Sequence, residues 1–202
     1  MIDNKEWIEK QQTEEEIKDN YALLQKVKAG LDKPNENFEL VVDRLFMAID
    51  RFEKIQAHII LDENMKPVSC APGSSPESKG RDCYVSYVDL DLVVEITRRP
   101  LVGNTHWDHL DENPLKTQSG IIVFLDIRKV DKNIWIQNKV ILDDKEKFFH
   151  LCDADFLFQL LKDQPTAFTE FKKFLLASEK IWREEEDFGV IEKKIINLIK
   201  KK

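Results

Sequence analysis

The sequence predicts an α/β fold with helical amino- and carboxy-terminal segments, and three observations support that class. Residues 36–55 carry Phe38, Val41, Val42, Leu45, Phe46, Ile49 and Phe52 at helical spacing, a broad apolar stripe that belongs in a core. Residues 82–97 read as a hairpin turning near Asp89, whose second strand, Leu90 to Thr97, is nearly continuous apolar sequence until Glu95 interrupts it. Beyond Asp153, the residues Phe156, Phe158, Leu160, Phe168, Phe171, Phe174 and Leu175 recur at the helical period. With 202 residues, 42% of them hydrophobic, one domain suffices to bury such a core.

In chain order, residues 4–29 form the first helix, with Trp7, Ile8, Ile17, Tyr21, Leu24 and Val27 set among Glu, Lys and Gln. Thr13 before Glu16 resembles a capping box and predicts a division into two helices there. Gly30 and Pro34 end the segment. Its charge-rich face is solvated surface in the simpler reading and a partner-binding face in the other. After the 36–55 helix, His58 to Leu61 predicts a strand and Asp62-Glu63-Asn64 a turn. Ala71 to Arg81, with two prolines, two glycines and three serines, is a loop leading into Asp82.

On the hairpin's second strand, the two-residue period puts Leu90, Leu92, Val94 and Ile96 on one face and Asp91, Val93, Glu95 and Thr97 on the other. Past Pro100, Asn104 or Thr105 caps a short helix through His106, Trp107 and Leu110. Gly120 to Leu125 is a short apolar run, the pattern of a central strand, and Ile134 to Leu142 predicts another strand. Three helices follow, over Asp153–Lys162, Pro165–Ser178 and Glu179–Lys202.

Composition narrows the function classes. The amino terminus is charged, with no signal-peptide pattern, and no apolar run approaches the ~20 residues that span a bilayer, so a cytoplasmic protein without a membrane role is expected. Cys70, Cys83 and Cys152 are odd in number and lack CxxC spacing, which argues for reduced thiols rather than disulfides or structural zinc. No Walker loop, GxGxxG or GxSxG occurs, so no nucleotide cofactor is expected. The formal charge of −7 is unlike that of a domain that grips nucleic acid unaided, although Arg98-Arg99 and Arg128-Lys129 form local basic patches.

Chemistry concentrates on the hairpin. A carboxylate in a buried strand is costly without a cation or hydrogen-bond donors, so Glu95 asks for a partner. Antiparallel pairing around the turn would bring Asp82 toward Glu95, and two convergent carboxylates form a hard-oxygen site of the kind that suits Mg²⁺ and phosphate chemistry. The plainer reading is that Asp82 ends a loop, Asp89 and Asp91 decorate a turn, and Glu95 pairs with Arg98 or Arg99. His106 and His109 share a helical face, but with no third ligand in sequence, surface or phosphate contacts fit them better than zinc.

An ordered series of segments carries a resemblance. Asn-Phe-Glu-Leu-Val-Val-Asp-Arg-Leu-Phe from Asn37 precedes Ile-Ile-Leu-Asp-Glu-Asn-Met-Lys-Pro-Val from Ile59, then Ala-Pro-Gly from Ala71. Arg-Asp-Cys-Tyr-Val-Ser-Tyr, Leu-Val-Val-Glu-Ile-Thr and Gly-Ile-Ile-Val-Phe-Leu follow, the last from Gly120. Over about half the chain, Phe38 to Leu142, this order resembles the cleavage domain of AlwI-type type IIS restriction endonucleases, particularly the small catalytic subunits of heterodimeric members. Those are similar to the wider PD-(D/E)xK nuclease group.

The resemblance implies a restriction-endonuclease-like mixed central sheet flanked by helices. It implies a helical extension at 1–35, a catalytic core at 36–142 and a helical part at 143–202. It maps the metal-holding acids onto Asp82 and Glu95, with the Ile96 carbonyl completing the shell. Glu39 matches a glutamate of that family, which sets a water-mediated reach to the metal against plain solvent exposure. Thr97 stands where the group has its lysine, which leaves Thr97, Arg98 or Arg99 to supply that role; Arg99 shares the strand parity of Glu95. The implied activity is Mg²⁺-dependent cleavage of one strand of double-stranded DNA, with a larger DNA-recognition subunit as partner. The missing lysine equally supports a non-catalytic interaction module on the same fold.

Overall fold

The computed structural model describes residues 4–30, 38, 41–42, 44–46, 48, 57–58, 83–87, 90–97, 107–108, 110, 119–144, 147–162 and 167–200. Helix α1 (Asn4–Lys28) runs without interruption, so the predicted division at Thr13 does not occur. Thr13 instead joins Ile17, Asn20, Leu24 and Val27 in a buried stripe spaced three and four apart, and one packed face over that length favours one helix. Lys26 and Lys28 lie in the last turn, where the helix dipole favours cations. Gly30 then turns the chain at φ 69°, its N–H donating to the Val27 carbonyl. Phe38, Val41, Val42, Leu45, Phe46 and Ala48 are helical and buried, as the apolar stripe predicts; Ile49 and Phe52 lie outside the described residues.

Among the described residues, five strands form one mixed sheet in the order β1-β2-β3-β4-β5. Strands β1 (Ala57–His58), β2 (Cys83–Tyr87) and β3 (Leu90–Thr97) are antiparallel neighbours, and β3 keeps the predicted boundaries. Strands β4 (Ser119–Phe124) and β5 (Phe148–Asp153) run parallel to β3 and to each other. The two faces have separate cores. Leu92, Val94, Ile96, Ile121, Val123 and Cys152 join the buried residues of α1 and of the helical stretch around Leu45. Val93, Ile122, Phe124, Phe149 and Leu151 join Trp107, Leu110, Trp135 and Trp182. The parity predicted for β3 therefore holds for Leu92, Val93, Val94 and Ile96.

Residues 134–142 form not a strand but helix α2 (Lys132–Asp143). Asp131 caps it, its carboxylate accepting from the Asn133 N–H, and Ile134, Trp135, Asn138, Lys139 and Leu142 are buried at helical spacing. The strand on this side is β5, which the sequence reading passed over, and which the 3-10 turn Ile127–Lys129 and α2 connect to β4. Helix α3 (Ala154–Leu161) follows β5, capped by Asp153.

The predicted boundary between the last two helices moves as well. Helix α4 (Ala167–Glu184) continues past Ser178, and α5 (Phe188–Lys200) starts after Asp187, whose carboxylate accepts from the Val190 N–H. The buried Lys139 ammonium donates to the Trp182 carbonyl in the last turn of α4, at 2.5 Å, and pairs with Asp143.

Among the described residues strand β5 lies at the edge of the sheet, and Asn138 of α2 bonds to its main chain at Phe149. The amide accepts from the Phe149 N–H at 3.0 Å and donates to the Phe149 carbonyl at 2.5 Å. The Phe149 ring lies over Gly120, its register partner on β4, and beside Trp107 at a centroid distance of 5.2 Å. A Cβ on Gly120 would meet that ring at 2.5 Å and the Val93 carbonyl oxygen at 2.8 Å. Gly120→Ala is therefore expected to lower stability by about 2 kcal/mol in urea unfolding, with part of the loss recovered in Gly120→Ala/Phe149→Leu. Equal losses in the single and double variants would refute the clash.

Candidate functional site

Glu95 sits on β3, the middle strand of the sheet, and is 2% exposed. It projects toward the same side as Val93, facing the aromatic core of Phe124, Phe149 and Trp107 rather than the aliphatic one. Ile96 points the opposite way into the other core, so a role for it is confined to its backbone. Thr97, at 8% exposure, returns to the side of Glu95. Thr97 also anchors the sheet's end, since its carbonyl accepts from the Leu125 N–H at 3.2 Å. Asp82, Arg98 and Arg99 lie outside the described residues, as do Glu39, Cys70, His106 and His109. The ladder between β2 and β3 is described as far as Cys83↔Val94.

A second polar constellation, which the sequence reading did not single out, lies where β4 and β5 end. Asp153 accepts from the Ile127 N–H at 3.1 Å with one oxygen and from the Asp155 N–H at 2.9 Å with the other. Burial pushes its carboxyl above the ordinary carboxylate range, against the opposing pull of the Ile127 N–H and of Lys28. Asp155 in turn accepts from Gln25 and pairs with Lys28, tying the end of α1 to the start of α3. Asp126 holds Arg128 through two hydrogen bonds, at 2.8 and 3.0 Å, and the guanidinium keeps this carboxyl below its usual value.

Both oxygens of Asp153 are thus engaged by main-chain donors, and Asp126 and Asp155 face cations. These contacts join the ends of β4 and β5 to the 3-10 turn, to α3 and to the end of α1. Among the described residues, no group of three or more His, Cys, Asp and Glu side chains is placed to hold a metal. The sequence signal for this corner was an Asp directly before each helical turn, a capping pattern.

Burial also pushes the Cys152 thiol well above its usual pKa, which makes it an inert core residue. Among the described residues, no helix is long and apolar enough to cross a membrane. Compared with known proteins, the chain matches no family model, no curated protein and no solved structure.

Proposed function

We propose that this chain is the cleavage subunit or domain of a Mg²⁺-dependent endonuclease, which hydrolyses one DNA strand beside a site recognised by a larger polypeptide. The observation that carries the reading is the place of Glu95, a carboxylate 2% exposed on the middle strand of a mixed sheet whose first three strands are antiparallel. Enclosing a carboxylate there requires compensation by a cation or by donors. The reading assigns the second acid to Asp82, which lies outside the described residues, just before the Cys83 that pairs with Val94 on β3.

Carboxylate oxygens are the donors that suit Mg²⁺, with the Ile96 carbonyl as a third. When bound, the ion would lower the pKa of a water and offset charge on the scissile phosphate. The chain's own residues hold and orient: Asp82 and Glu95 position the ion, Thr97 stands in the lysine's place, and Arg99 supplies a permanently charged contact to phosphate. The formal charge of −7 fits a subunit delivered to DNA by its partner.

With the recognition polypeptide and Mg²⁺, the chain should nick DNA. Asp82→Ala and Glu95→Ala should each slow nicking by on the order of a hundredfold to a thousandfold, and full activity in both variants would end the proposal. A second reading, an interaction module with no chemistry, is favoured by the near-complete enclosure of Glu95. Calorimetry with Mn²⁺ or Ca²⁺ separates the two. Binding that disappears in Glu95→Gln supports cleavage, and no binding by the unaltered chain supports the module.

A further inference from the structure

We propose that the seam between β5 and α4 contains a buried water site, shared by His150 Nδ1 and Ser178 Oγ, that fastens the helix to the edge strand. Both atoms are fully enclosed and neither has a hydrogen-bond partner among the described residues. His150 is 3% exposed and Ser178 0%. Buried polar atoms left unbonded are rare and destabilising, and enclosed polar sites are where internal waters reside.

Ring contacts align the two residues. Phe174 of α4 packs on Phe156 of α3 at 4.7 Å, while Trp182, further along α4, packs on Phe148 at the start of β5 at 5.6 Å. Helix α4 therefore runs antiparallel to β5. Stepping back from Trp182 to Ser178 covers ~6 Å of helix, and stepping forward from Phe148 to His150 covers ~6.6 Å of strand. Starting from the Phe148–Trp182 contact, Ser178 and His150 come level across the seam.

Size points the same way. The buried stripe of α4 is Phe171, Phe174, Leu175, Ser178 and Trp182, and its smallest member is the one that the spacing brings level with His150. The enclosed, unpartnered indole N–H of Trp182, one turn along, is a further donor on the same helix face. Phe148 touches both rings, its centroid 4.7 Å from that of His150, and holds the imidazole edge-on.

The test is a double-mutant cycle in urea unfolding of the full chain at neutral pH, with His150→Leu, Ser178→Ala and the pair combined. A shared water predicts that each single change lowers the folding equilibrium constant about tenfold and that the double variant loses far less than the product of the two. In a dry seam, removing an unbonded polar atom raises stability. A gain in either single variant, or losses that simply multiply, overturns the proposal. Should a variant fail to fold, the unaltered chain decides by NMR: a long-lived water cross-peak to the His150 ring protons supports the site, and its absence rejects it.

Discussion

Asn138→Leu lowers the free energy of unfolding by about 4 kcal/mol, read as a fall in the urea midpoint with unchanged slope. Leucine keeps asparagine's forked shape and number of side-chain heavy atoms and suits the fully buried position, so the main loss is of hydrogen bonding. The substitution strands the Phe149 N–H and carbonyl together, because the Asn138 amide serves both. Each buried main-chain group left unbonded costs about 2 kcal/mol, and the two costs fall on one residue. A loss below about 1 kcal/mol would show that the amide contributes little to the edge of the sheet.

Acid destabilises the fold through His150. Burial lowers its pKa from 6.5 to about 3. The unfolded chain therefore takes up a proton below pH 6.5 that the folded chain refuses until about pH 3. Because the unfolded state binds more protons in that window, stability falls as pH falls, by ~1.4 kcal/mol per unit and on the order of 4 kcal/mol across it. The raised carboxyl of Asp153 acts in the opposite sense, its stability contribution decreasing as pH rises above the ordinary carboxylate value. Comparing the unaltered chain with His150→Leu isolates the histidine. The difference in stability between them should shift steadily in favour of the leucine variant from pH 6.5 downward, and parallel pH profiles would contradict the assignment.

What was legible in the sequence follows from how local its cause is. Strand β3 was readable to the residue because its apolar run, its alternation and its bounding turn all lie within the strand. Helix α2 was misread because Ile134, Trp135, Ile136, Val140 and Ile141 favour strands locally, while the Asp131 cap and the packing of Trp135 on Trp182, at 5.4 Å, decide for helix. Strand β5 escaped because Phe148 to Asp153 runs straight into the apolar sequence of α3, with no glycine or proline between them. At the candidate site, the cost of placing Glu95 within an apolar strand was visible. Its register was not, since pairing is a property of two strands. The roles of Asp153 were hidden for the same reason: its Ile127 contact spans 26 residues of chain.

The strand order has a consequence for how the protein is made. Because spatial order matches chain order among the described strands, each one after β1 leaves the ribosome with a neighbour already synthesised, and none of them must be inserted between earlier ones. The growing sheet can thus assemble vectorially. A chain that stalls after Phe124 carries β1 to β4 but lacks both β5 and the Asn138 that bonds its main chain, which leaves β4 as an open edge prone to recruit β-structure from other nascent chains.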